Sequence, residues 1–368
     1  MTDKFTVRNI QNEDWPTVQK VKKEVGLSYI SPSIQKKFSD SNPTKKELSF
    51  SDGLVLEKEN LIVGFIGTIP VKYRLQNNDY YAVTASAFAV LPEFRNLSLK
   101  LVSSYLNNKS NIDVFINSTA IDTAEPIFKM FKFKRIPQKE YNKALFLVLN
   151  ERRFIESFLQ KKEFSKIVSK IFSVLISPLF YIYQLINKTL FFTNPQKVKE
   201  INIDEYSKNL DALWEYKTSN EPSILYGYRN SNFLKWHFSK LSNNDYHIFG
   251  YFNKNILEGY LIVKNEDEKK IGLKRLRIVD IFVKDNSNNI IDNLLYYAHK
   301  FSKNKNYHII EMIGFPYFIR ERFQKLKPFS RLLPSWPFLY RAENELLKER
   351  LQNEDYWYAS PFDGDASF

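Results

Sequence analysis

Two carboxylates stand inside otherwise apolar stretches of this 368-residue chain: Asp280 in RLRIVDIFV and Glu311 in HIIEMIG. A carboxylate in such a setting is either a general base with raised proton affinity or a buried partner of a nearby cation. Arg275 and Arg277 are close enough in sequence to be that partner of Asp280, so both readings stay open. A third feature is the loop LPEFRN, between the strand-like TASAFAV and the helix-like LSLKLVSSYL. A helix N-terminus presents free backbone N–H groups, which suits a phosphate. The chain closes on WYASPFDGD. There Asp363 and Asp365 could hold a cationic or hydroxyl-rich acceptor, while Tyr356, Trp357 and Tyr358 could stack on a sugar ring or dock the tail onto the core. Trp236 and His237 read as packing with one solvent-facing ring.

Other chemistries are excluded. No G-x-G-x-x-G, G-x-x-x-x-G-K-[ST] or G-x-S-x-G occurs, so dinucleotide folds, P-loop ATPases and nucleophile-elbow hydrolases have no support. Cysteine is absent, which removes disulfides, thiolate zinc and a cysteine nucleophile, and the four histidines lack H-E-x-x-H spacing; no metal is expected. The net charge is +13 and comes mostly from scattered lysines; no basic run with interleaved aromatics marks a DNA-binding surface. The opening MTDKFTVRNIQNEDW has no apolar core, so no secretory leader is expected.

The elements that must position these residues follow from periodicity. LVLEKENLIVGFIGTIPV reads as a hairpin turning at Glu57–Asn60, then come TASAFAV, a helix from about 97, a strand DVFINSTA and a short helix to Phe131. The same order returns downstream. DYHIFGYFNKNILEGYLIVK is a second hairpin, followed by RLRIVDIFV, a helix near 290–298, HIIEMIG and a short helix through Phe323. Six elements recur in register, which is the signature of an internal repeat. The fold class expected is mixed α/β, with two similar domains, each a mixed, mostly antiparallel sheet flanked by helices. The expected division is 1–150, an apolar helical connector 151–200, and 201–368.

VLPEFR at 90–95 and the repeated order resemble the GNAT superfamily of acyl-CoA N-acyltransferases. In that family the sheet splays between its fourth and fifth strands and holds acyl-CoA in the gap. The resemblance implies backbone contacts to the acyl-CoA at Phe88, Ala89 and Val90. It implies a pyrophosphate loop of Arg95, Asn96, Leu97, Ser98, Leu99 and Lys100, with Ser98 and Lys100 where the family usually has glycine. Asn117 falls where the family often has an asparagine near the thioester. RNSNFLKWHF and WYASPFDGD further resemble tandem GNAT-type proteins of bacterial surface-polysaccharide clusters, which are related to Fem-type transferases.

The implied function is N-acylation of an amine, such as an amino sugar of a cell-surface glycan precursor, using acetyl-CoA or another acyl-CoA. Asp280, Glu311 and Asn117 are the catalytic candidates; Trp236, Trp357, Asp363 and Asp365 are the acceptor-binding ones. A backbone N–H at Ala89 or Val90 would serve as oxyanion donor. A Fem-like transferase using charged tRNA and an inactive membrane-associated scaffold are the alternatives. The apolar stretch 164–192 could pack between domains, lie on a membrane surface with its lysines at 161, 162, 166, 170 and 188, or span the membrane. The implied location is the cytoplasm, at the membrane's inner face if that stretch docks there.

Overall fold

The structure, a computed structural model, describes residues 5–48, 50–107, 111–187, 197–242, 244–333, 337–365 and 367, with the side chains of 183–187 not described. The chain begins with β1 (Phe5–Asn9), α1 (Trp15–Glu24), α2 (Pro32–Asp40), α3 (Pro43–Glu47), β2 (Gly53–Lys58), β3 (Leu61–Leu75) and β4 (Asn78–Val90). It continues through α4 (Ser98–Asn107), β5 (Val114–Asn117), α5 (Glu125–Met130), β6 (Lys134–Arg135), β7 (Lys143–Val148), α6 (Glu151–Lys161) and α7 (Lys166–Asn187). The second half holds β8 (Val198–Ile201), α8 (Ser207–Asn220), β9 (Leu225–Gly227), α9 (Ser231–His237), β10 (Tyr246–Asn253), β11 (Ile256–Asn265) and β12 (Arg275–Val283). Last come α10 (Asn288–Asn304), β13 (Ile309–Ile313), α11 (Tyr317–Gln324), β14 (Phe329–Leu332), β15 (Leu339–Ala342), α12 (Glu345–Arg350) and β16 (Trp357–Tyr358).

The expected hairpins form where the turn chemistry demands. Glu59 and Asn60 have φ of 47° and 68°, and Lys254 and Asn255 have 47° and 70°. Two consecutive left-handed residues give a turn whose twist matches that of the flanking strands. A further hairpin joins β3 to β4 through Gln76 and Asn77. It makes both strands longer than the apolar runs suggest.

The repeat is present in three dimensions. In the first sheet β2, β3 and β4 run antiparallel, and β5 then joins β4 in parallel. In the second, β10, β11 and β12 run antiparallel and β13 joins β12 in parallel. Each fourth-type strand carries a bulge. Ala87 and Phe88 fall between the pairs Ser86–Gly67 and Ala89–Phe65; Val279 falls between Ile278–Val263 and Asp280–Ile262. α4 and α10 make the crossovers between the parallel strands, as such connections require.

The two halves also exchange strands. β7, from the first half, lies between β13 and β14 in the second sheet. β15, from the second half, pairs with β5 and β6 in the first. The sheets therefore do not divide at residues 150 and 201. Nor is the apolar stretch buried between them: α7 packs on α6, and Phe180 stacks on Phe329 of β14 with centroids 5.2 Å apart. Lys188 and residues 190–192 lie outside the described residues.

Because each sheet needs a strand from the other half, fragments 1–150 and 201–368 are expected to lack cooperative unfolding when made separately. The full chain is expected to melt in a single transition. Circular dichroism melts check this, and cooperative unfolding of either fragment alone would contradict it.

Candidate functional site

β4 and β5 are paired only from Ala82–Val114 to Thr84–Ile116. β4 then runs on for six residues without β5 beside it, and the two strands part as a fork. The bulge bends β4 at this point, and Ala87 takes a φ of 50°, a left-handed conformation that costs an alanine about 1 kcal/mol. Strain of this kind gathers at functional sites. At the base of the fork the Thr84 hydroxyl is buried without a hydrogen-bond partner. On the prong, Ser86, Ala87 and Phe88 are half-buried, whereas Ala89 and Val90 are buried. α1 covers the bulge from one side, with its Trp15 and Val18 packing in one cluster with Phe65 of β3. Phe88 packs edge-on against Phe128 of α5, with centroids 5.7 Å apart.

Beyond the prong a short 3-10 turn, Pro92–Leu97, leads into α4 at Ser98. Arg95 and Asn96 are exposed, Leu97 is half-buried, Ser98 is buried, and Leu99 and Lys100 are exposed. The Lys100 ammonium donates to the Phe5 carbonyl at 2.5 Å, so it is tied to β1. The fork, its unpartnered hydroxyl, the free strand edge and the helix start fit an extended acyl-CoA with its pyrophosphate at 95–98.

The tail reaches this fork. Ser118 donates to the Asp365 carboxylate at 2.8 Å and Thr119 donates at 2.8 and 2.9 Å. Asp365 is thus tied to the end of the β5 prong, and Ser86 of β4 lies near the same carboxylate. Burial raises its proton affinity above the ordinary aspartate value, and the hydroxyls of Ser118, Thr119 and Ser86 offset this only in part. Gly364 lies directly against Ser118: a Cβ there would sit 2.6 Å from the Ser118 Cβ. Asn117 is buried, and its side-chain oxygen accepts from the Thr119 N–H at 3.3 Å, which shapes the strand end.

The second fork is built alike and closed. β12 pairs with β13 only from Arg275 to Ile278; Val279–Val283 continue alone and are fully buried. The tail fills the gap. Tyr358 donates its hydroxyl to the Ile281 carbonyl, and Ser360 donates to Asp280 at 2.8 Å. Asp280 also accepts from Arg229 at 3.0 and 3.3 Å and from Tyr260 at 3.1 Å, with no exposure to solvent. Arg229 is buried as well. It pairs with Asp363, donates to the Gly227 carbonyl at 2.8 Å, and lies over the rings of Phe362 and Tyr358 at 5.0 and 5.1 Å.

The remaining sequence candidates are occupied elsewhere. Glu311 is ringed by Arg331 at 2.9 Å, Arg277 at 3.2 Å and Arg275 at 3.7 Å. Burial would raise its pKa, but the three guanidinium groups win and lower it. Trp236 donates its indole N–H to the Phe38 carbonyl and stacks on that ring; Trp357 donates to the Leu351 carbonyl. His237 is buried beside Ser367, and burial holds its imidazole well below the ordinary value. The structure thus gathers Asp365, Phe88 and Asn117 at one fork and Asp280 with Asp363 at the other. Sequence reasoning passed over Ser118, Thr119 and Arg229. The signal for Arg229 was Asp280 inside an apolar strand together with Asp363 in the aromatic tail, since two buried carboxylates call for a cation.

No family model matches the chain, and no curated protein matches it. Solved structures do. A GCN5-related N-acetyltransferase from Anabaena variabilis superimposes with a TM-score of 0.57 at 11% identity, covering 92% of this chain and 73% of its own. A protein of unknown function from Enterococcus faecalis, described as a probable N-acyltransferase, gives 0.59 at 9% identity over 93% of this chain and 73% of its own. Saccharomyces cerevisiae N-myristoyltransferase with bound myristoyl-CoA gives 0.53 at 11% identity over 94% and 81%. The chain has the mixed α/β fold of these proteins.

Two stability outcomes follow from the tail's packing. Gly364→Ala is expected to lower stability by about 1–3 kcal/mol in urea unfolding, and Ser118→Gly in the same chain to restore part of it. Arg229→Met leaves two buried carboxylates without a cation and is expected to cost about 3–5 kcal/mol; a loss under ~1 kcal/mol would show that the charges are not buried together.

Proposed function

We propose that the chain is an N-acyltransferase whose active site is the first fork, using acetyl-CoA or another acyl-CoA and acylating an amine. One observation carries this reading: two similar forks exist, and the tail fills the second with Tyr358 and Ser360 but, among the described residues, brings Gly364 and Asp365 to the mouth of the first. The acyl-CoA would supply the thioester. β4's free edge at Phe88–Val90 offers backbone groups to hold it, and a backbone N–H there can stabilise the developing oxyanion. Arg95 at the exposed start of the loop offers a cation for the pyrophosphate.

Asp365 is the group we assign as general base. An amine must lose a proton as it attacks, and a carboxylate of raised affinity at hydrogen-bond reach of the prong is suited to take it. Asp280, held by Arg229, Tyr260 and Ser360, and Glu311, ringed by three arginines, we read as structural. Fold similarity to acyltransferases supports the reaction class; the amino-sugar acceptor and a role in surface-glycan synthesis rest on the resemblance of RNSNFLKWHF and WYASPFDGD. A supply of acyl-CoA would place the reaction in the cytoplasm.

Isothermal titration tests the cofactor. Acetyl-CoA is expected to bind, and Arg95→Ala to weaken it about tenfold, as loss of one charged contact does. No binding by folded protein at millimolar acyl-CoA would overturn the assignment of this fork. With an acceptor in hand, Asp365→Asn is expected to lower kcat about 10²–10⁴-fold. The wild-type rate should fall as pH drops through the raised carboxylate value, because the base is then protonated. That limb should vanish in Asp365→Asn; an unchanged pH profile would remove Asp365 from the chemistry.

A further inference from the structure

We propose that the hairpin of α6 and α7 is a membrane-docking device, which lays the outer face of α7 into the surface of an anionic bilayer. One side of α7 is fixed to the protein: Ser169 and Ser173 are fully buried, and Phe180 stacks on Phe329 and lies 6.1 Å from Phe154 of α6. The other side is apolar and faces outward. Ile167 is 75% exposed, Leu175 65% and Leu179 69%, with Ile171, Phe172 and Ile182 also exposed. A water-facing helix normally carries its polar residues there and its apolar ones inward. From Ile167 to Ile182 this face runs about 24 Å at 1.5 Å per residue. Among the described residues no helix is long and apolar enough to cross a membrane, so the face can lie on a bilayer but not span it.

Charge selects the occupant. Residues 164–187 contain no aspartate or glutamate. Lys161, Lys162, Lys166 and Lys170 are all exposed at the end of the hairpin where α7 begins. An anionic headgroup layer attracts such a cluster while the apolar face enters the acyl boundary. A second copy of this chain docked through the same face with its α7 parallel would bring two such lysine clusters together, and docked antiparallel it would leave both clusters without an acidic partner on α7. This inference stands apart from the acyl-transfer reading, since none of these residues touches either fork.

Co-sedimentation of the full chain with vesicles tests it. Vesicles of phosphatidylcholine with phosphatidylglycerol are expected to carry the protein down, phosphatidylcholine alone to carry less, and added salt to release it. Leu175→Asp with Leu179→Asp should reduce recovery about tenfold or more without moving the thermal midpoint. Lys166→Glu with Lys170→Glu should remove the preference for the anionic lipid. The proposal is overturned if the wild-type chain stays in the supernatant, or if the double aspartate variant binds as well as wild type. It is also overturned if the apolar face instead drives a concentration-dependent dimer in sedimentation velocity that the aspartates abolish.

Discussion

A single buried guanidinium holds the molecule's plan together. Arg229 lies between Asp280, on a strand of the second sheet, and Asp363, on the tail, and three aromatic rings exclude water around it. Moving such charges out of water costs several kcal/mol each, which only close and multiple pairing offsets. The geometry is therefore demanding: the tail has one position in which all partners are met. Burial raises the proton affinity of Asp363, with Arg229 opposing, while burial works against the charge on Arg229 and the carboxylates of Asp280 and Asp363 outweigh it and keep the guanidinium charged. From that anchor the next two residues are already committed, Gly364 against Ser118 and Asp365 onto the hydroxyls of Ser118 and Thr119.

This arrangement turns a symmetric scaffold into an asymmetric one. Both sheets carry the same antiparallel triplet, bulge and parallel fourth pairing. In the second, the gap beyond the parting strands became core, and the bulged strand there is wholly buried. In the first it stayed half-accessible and gained a carboxylate from the far end of the chain. One copy of the repeat serves as a mount for the tail that reaches the other.

Local signals in the sequence carried the elements well. Hairpin turns at Glu59–Asn60 and Lys254–Asn255, the strand Arg275–Val283 and the start of α4 all follow from patterns a few residues long. The resemblance carried by VLPEFR implied a gap beside the end of β4, and the pairing of β4 with β5 does stop there. What stayed hidden was non-local. Nothing near Lys143–Val148 says that it pairs with Ile309–Ile313, and nothing near Leu339–Ala342 points to Val114–Asn117. Asp280 looked like a base because its strand is apolar; the cation that engages it comes from 51 residues earlier in the chain. Trp357 could be read as a sugar platform or as a docking ring, and its ring packs edge-on against Phe338 and Tyr340, an outcome set by distant neighbours rather than by residue type.

The exchanged strands also set a timetable for synthesis. β5 is the inner edge of the first sheet until β15 arrives to pair with it. Roughly two hundred residues separate them, and a ribosome adding about 5–20 residues per second takes about 10–40 s to make that length. During this interval the nascent chain carries an unpaired apolar edge, Val114–Asn117, of the kind that templates aggregation. A chain built this way has to be guarded while it is born, and that edge is covered only once Leu339–Ala342 has been made.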